Sequence, residues 1–152
     1  MTRRARGEYP PDWPEIANRV KDEAGRKCIR CGWTHCPVTG HVLTVHHLDG
    51  DKANCEWWNL AALCQRCHLK IQGRVDMERE WLFEHTDWFK PYVAGYYAHR
   101  AGLPHDRASV AARLAEYLGL AAARRLDVRA DDRAGALAGA DAVPTPRGDA
   151  AR

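Results

Sequence analysis

The sequence predicts a small α+β domain, and three observations carry that expectation. Two C-x-x-C pairs, Cys28 with Cys31 and Cys64 with Cys67, have the spacing that lets each pair wrap one metal ion. Between them, residues 42–46 alternate apolar and polar with β-branched side chains and run into His47, while 60–63 form a short apolar run. Both read as strands. Apolar residues at helical spacing flank this centre on both sides.

At 152 residues the chain fits one domain with a modest core and a tail. Its formal charge of +3 is mild, so any nucleic-acid contact must come from a local patch. The basic N-terminus has no apolar run behind it, and no stretch approaches the ~18 apolar residues of a membrane span. No membrane partner and a cytoplasmic location are therefore expected. Thiols stay reduced there, so six cysteines favour metal binding over disulfides.

The elements follow in order. Residues 1–11 read as a flexible arm, frayed or offering Arg3, Arg4 and Arg6 to phosphates. One domain is expected over 12–125, with its core at 26–75 and a helical extension at 76–125. The first helix starts at Asp12, which forms a D-x-x-E capping box with Glu15. Pro14 lies in its first turn, Ile16 and Val20 share a face, and Gly25 ends the run. A turn at 48–51 and a surface loop at 50–58 separate the two strands, and a helix begins at Gln65 carrying His68, Ile71 and Gln72. Residues 77–84 read as a linker or short helix. Thr86 or Asp87 should cap a helix through His99, with Trp88, Tyr92, Val93 and Tyr96 as a stripe buried against the body. DNA contact by that stripe is the lesser alternative. Asp106 should cap a further helix to about Arg125 with Val110, Leu114, Tyr117 and Leu118 as its apolar face. The Ala-, Gly-, Asp- and Arg-rich tail 126–152 should be disordered.

Each C-x-x-C can turn its backbone N–H groups toward one ion as a knuckle, and the glycine after Cys31 permits the tight turn. The 32 residues between the pairs exceed the span of a compact four-cysteine finger, so the insert carries something else. Four thiolates fill a tetrahedral Zn²⁺ and leave no position for water, which makes this ion a staple and not a catalyst. The alternative is a set of buried reduced thiols. Cys36 and Cys55 belong to neither pair and read as free buried thiols, although Cys36 is near enough to compete as a ligand. His35 and His41 lie in a connecting loop and are assigned no role. Because Cys67 and His68 are adjacent, closing the zinc site also fixes where His68 points.

The His46–His47 pair, Asn59 twelve residues later, His68 nine beyond it, and the two C-x-x-C pairs occur in the order found in the HNH endonucleases. The resemblance covers about residues 26–75. It implies a ββα-metal fold around one catalytic cation. By that likeness His46 and His68 are metal ligands, His47 is the general base, and Asn59 holds the loop that orients the base. Gln72 stands where some relatives carry a third ligand. Two protein ligands are therefore expected, with an open site suited to Mg²⁺ or Mn²⁺. Imidazole at His46, where many relatives have Asp, shifts preference toward transition metals.

The resulting expectation is a metal-dependent DNA endonuclease or nickase with structural Zn²⁺ and a catalytic divalent cation. The resemblance also suggests a phage or mobile-element setting, with packaging or recombination proteins as partners. With little chain outside the module, weak sequence specificity is expected. The alternative is a non-catalytic zinc module that binds nucleic acid or protein. A base beside a metal would have no use there.

Overall fold

A computed structural model describes residues 7–72, 77–78 and 87–124. The expectations for Arg3, Arg4, Arg6, Thr86, most of 77–84 and the tail 126–152 lie outside the described residues. Met1–Ala121 form one compact unit and Ala122–Arg152 a second, of which the described residues, 122–124, are helical. In the first unit the order is α1 (Trp13–Glu23), β1 (Leu43–His47), a 3₁₀ turn (Trp57–Asn59), β2 (Leu60–Cys64), α2 (Gln65–Ile71), α3 (Lys90–Arg100) and α4 (Arg107–Ala112). Residues 114–121 are also helical.

Strands β1 and β2 pair antiparallel, with Leu43 opposite Cys64, Val45 opposite Ala62 and His47 opposite Leu60. All five residues of β2 are buried, which explains an apolar run without alternation: both of its faces are covered. Helix α2 follows β2 with no intervening loop. Cys64 ends the strand and caps the helix, its Sγ accepting the Cys67 N–H at 3.5 Å. Helix α1 covers the hairpin with Ile16, Ala17 and Val20. It ends as Gly25 predicts: the Arg26 N–H donates to the Lys21 carbonyl and the Gly25 N–H to the Asp22 carbonyl, with Gly25 at φ 61°.

Its start differs from the expected capping box. Asp12 occupies the cap position, but at φ −91° and ψ 15° its side chain makes no cap hydrogen bond. A cap residue needs extended backbone to fold its carboxylate over the first-turn N–H groups. Here the Asp12 carbonyl alone receives the Glu15 and Ile16 N–H groups.

Helix α3 begins at Lys90 with Phe89 at its cap position, two residues later than Asp87 would set it. A helix from Asp87 would drive the Pro91 ring into the Asp87 carbonyl, so 87–89 form a turn and Pro91 stays in the first turn. Of the expected stripe, Tyr92 and Val93 are buried and Trp88 and Tyr96 half-buried, while Phe89 and Tyr97, outside the expected set, are buried beside them. Asp106 caps α4 as predicted, accepting the Ser109 N–H at 2.9 Å. The helix breaks at Arg113, however, and resumes at 114. No Gly or Pro marks this break. Arg113 sits at φ −120° and forks onto Glu116 through two bonds of 2.8 and 2.6 Å.

Gly95 is where α3 meets the 3₁₀ turn. A Cβ there would stand 2.7 Å from the Trp58 Cβ and 2.9 Å from the Trp57 Cζ2. Gly95→Ala should therefore destabilise the fold. Overpacking costs roughly 1–3 kcal/mol, against a gain of about 1 kcal/mol in helix propensity. A urea melt checks this, and an unchanged or raised midpoint would contradict the close packing.

Candidate active site

The four paired cysteines converge. The Sγ atoms of Cys28, Cys31, Cys64 and Cys67 all lie within 4.8 Å of one another, with Cys31 and Cys64 at 3.9 Å. Four thiolates at ~2.3 Å from one zinc stand about 3.8 Å apart, so this donor set fits tetrahedral Zn²⁺. Gly32, at φ 75°, supplies the left-handed turn and donates its N–H to the Cys28 carbonyl. The first knuckle is latched to the sheet, because the Ile29 N–H donates to the Ala62 carbonyl at 3.0 Å. Burial alone would raise the Cys28 thiol, but N–H groups of Cys64, Cys31 and Arg30 overcome it and lower its pKa. Burial pushes the Cys67 thiol up to about 12 even though the Arg30 guanidinium stands 3.4 Å from its sulfur. A bound dication reverses that preference and holds the thiolate.

The second convergence joins the hairpin to α2. His46 Nδ1 and His68 Nε2 lie 2.8 Å apart. Two ligands at right angles on one cation at ~2.1 Å are about 3.0 Å apart, so the pair fits one ion with a shift of a few tenths of an ångström. Thr44, two residues before His46 and on the same strand face, sets the tautomer of His68. Its hydroxyl donates to the Leu63 carbonyl at 2.9 Å, so at 3.0 Å from His68 Nδ1 it can only accept. Nδ1 therefore carries the hydrogen and Nε2 presents its lone pair toward His46. Burial, then the neighbouring His68 and His47, lower the His46 pKa to about 4, and burial lowers that of His68. Both rings are neutral at pH 7 and able to act as donors to a metal.

His47 faces the other way. Its ring packs on Trp13, centroids 4.8 Å apart, with Tyr9 at 5.8 Å. It is 6% exposed, and its buried Nε2 has no hydrogen-bond partner. Burial lowers its pKa, outweighing Asp49 and Asp51, which pull it upward. The end of the expected flexible arm lies across this region: Tyr9 stacks on Trp13, and the Lys52 ammonium sits 4.9 Å over the Tyr9 ring.

Asn59 is fully buried and ties both ends of the loop between the strands. Its Oδ1 accepts the Asp49 N–H at 2.8 Å, its Nδ2 donates to the Asn54 carbonyl at 2.8 Å, and its carbonyl accepts the Leu48 N–H at 2.9 Å. Asp49 adds a second brace by accepting from Asn54 Nδ2 at 2.7 Å.

Other sequence expectations need adjusting. Helix α2 ends at Ile71, and Gln72 is its exposed C-cap, one turn past His68, whose carbonyl accepts the Gln72 N–H at 2.8 Å. Cys36 and Cys55 are free thiols outside the cluster, half-buried and not fully buried. His41 is buried, stacked on Trp33 at 4.5 Å with its Nδ1 2.7 Å from the Thr39 hydroxyl. His35 Nδ1 accepts the Leu43 N–H at the start of β1. Thr44 had a legible signal in the strand alternation, whereas the Trp13 contact on His47 had none.

No family model matches the chain, and no solved structure does. Among curated proteins, the H-N-H endonuclease F-TflIV of Escherichia phage T5 is 37% identical over 59 residues, covering 36% of this chain and 25% of that protein. The chain thus spans about a quarter of the length of the relative it matches. No helix among the described residues is long and apolar enough to cross a membrane. In a strand hairpin running directly into a helix, in the four-cysteine cluster at their junction and in this partial match, the chain is similar to the HNH endonucleases.

Proposed function

We propose that the chain is a metal-dependent DNA endonuclease or nickase, with the cation held by His46 and His68 and with His47 as general base. The observation that carries this reading is the 2.8 Å meeting of His46 Nδ1 and His68 Nε2, with the Thr44 hydroxyl directing the His68 lone pair into the same space. When bound there, a divalent cation such as Mg²⁺ or Mn²⁺ supplies charge neutralisation for the phosphate and Lewis-acid support for the leaving 3′-oxygen. His47, kept neutral by burial, takes the proton of the attacking water on its unpartnered Nε2. Strand pleating turns His47 away from His46, and Trp13 and Tyr9 pack on its ring, so this proton transfer requires that cover to open and admit water to the buried Nε2. Asn59 holds the loop leaving His47 by bonding Asp49 and Asn54. Zn²⁺ on the four cysteines is structural.

Incubation of supercoiled plasmid with the protein and Mg²⁺ or Mn²⁺ tests this directly. Nicked circles should accumulate, and EDTA should stop them. An inert protein in both metals would leave only a non-catalytic zinc module. Thr44→Val tests the metal pair without touching either ligand. Loss of an outer-shell partner costs ~10–100-fold in metal affinity, so Mn²⁺ binding measured by calorimetry should weaken by that range while the zinc content stays constant.

A further inference from the structure

A third group of metal-binding side chains lies away from both sites already described. Glu56 precedes the 3₁₀ turn, His99 is in the last turn of α3, and His105 is in the link to α4. One donor atom from each lies within 4.8 Å of the other two. We propose that Glu56, His99 and His105 bind one transition-metal dication of the zinc class, and that this ion staples the helical extension to the segment that ends in Asn59.

The geometry favours a tetrahedral ion. His99 Nδ1 and His105 Nε2 are 3.3 Å apart. Two nitrogens at ~2.0–2.1 Å from one tetrahedral zinc stand about 3.3–3.4 Å apart. Glu56 Oε2 is 3.8 Å from His105 Nε2, a gap that a small side-chain rotation closes. The tautomer is set as well: His105 Nδ1 is 3.0 Å from the Leu103 carbonyl, which can only accept, so Nε2 carries the lone pair. Such an outer-shell carbonyl is the usual partner of a ligating imidazole.

The ligands are also held in place before any ion arrives. The His99 ring packs on Trp58 at 5.3 Å, and Trp57 Nε1 donates to the His105 carbonyl at 2.6 Å. The Glu56 carbonyl accepts the Asn59 N–H at 2.9 Å. His99 lies at the carbonyl end of α3, where the helix dipole favours positive charge. Two imidazoles and one carboxylate leave a fourth position for water, and the mixed N and O donors select Zn²⁺, Ni²⁺ or Co²⁺ over Mg²⁺.

The test uses the full chain with zinc on its four cysteines and with His46→Ala and His68→Ala, so that the hairpin pair does not compete. Zn²⁺ titrated by calorimetry should bind at one further equivalent and raise the melting temperature. His105→Ala should weaken this binding by more than the ~10–100-fold that an outer-shell loss costs, and His99→Ala likewise. Since those variants could disturb packing, imidazole ¹⁵N spectra of the unsubstituted triad provide a second readout. Zn²⁺ should shift His99 Nδ1 and His105 Nε2 together. Absence of a further equivalent, equal affinity in His99→Ala, or shifts confined to other histidines would overturn the proposal and leave a plain His99–His105 hydrogen bond.

Discussion

His47→Ala is expected to slow plasmid nicking by a factor of ~10²–10⁴, the usual range for loss of a general base. The variant keeps His46, His68 and all four cysteines, so metal content and DNA affinity should barely change. DNA affinity comes mostly from phosphate contacts, which the imidazole does not make. Removing His47 also uncovers Trp13, so a modest fall in melting temperature should accompany the rate loss. His46→Ala should behave differently. It removes one of the two nitrogens that meet at 2.8 Å, so it should weaken divalent binding, and raising Mn²⁺ should restore part of the rate. Titrating Mn²⁺ against nicking rate in both variants separates the roles. Rescue of His47→Ala but not His46→Ala would exchange them, and full activity in both would remove this pair from catalysis.

Cys64→Ser should unfold the centre of the protein. Apparent binding energies at structural zinc sites are ~10–16 kcal/mol, comparable with the ~5–15 kcal/mol that holds a whole domain. Cys64 has three positions at once: it ends β2, it caps α2, and it stands 3.9 Å from Cys31 across the cluster. Losing its thiolate therefore frees the first knuckle and the helix that presents His68. Zinc content by metal analysis should drop with the melting transition, and chelation of the wild-type protein should reproduce the effect. Cys36→Ser, outside the cluster, should change neither. A Cys64→Ser protein with no zinc and wild-type melting would end the staple idea.

Much of the site was legible because its signals are local. C-x-x-C spacing, the Cys67–His68 adjacency, the β-branched alternation through His47 and the Asp106–Ser109 cap each depend on residues a few positions apart. The register then follows from strand pleating, which places Thr44 beside His46 on the face toward α2. Local rules misjudged Asp12, because a capping box presumes extended backbone that the preceding turn does not provide. They also ran α4 through Arg113, where no breaker residue stands.

By itself, then, the sequence determined the hairpin, the helix that follows it and the four-thiolate cluster, since metal-ligand spacing and side-chain period are properties of short segments. Tertiary structure alone decided that Trp13 covers His47, that Gly95 receives Trp57 and Trp58, and that Glu56 meets His99 and His105. Those contacts join residues tens of positions apart, and only the packing of α1 and α3 on the hairpin brings them within reach.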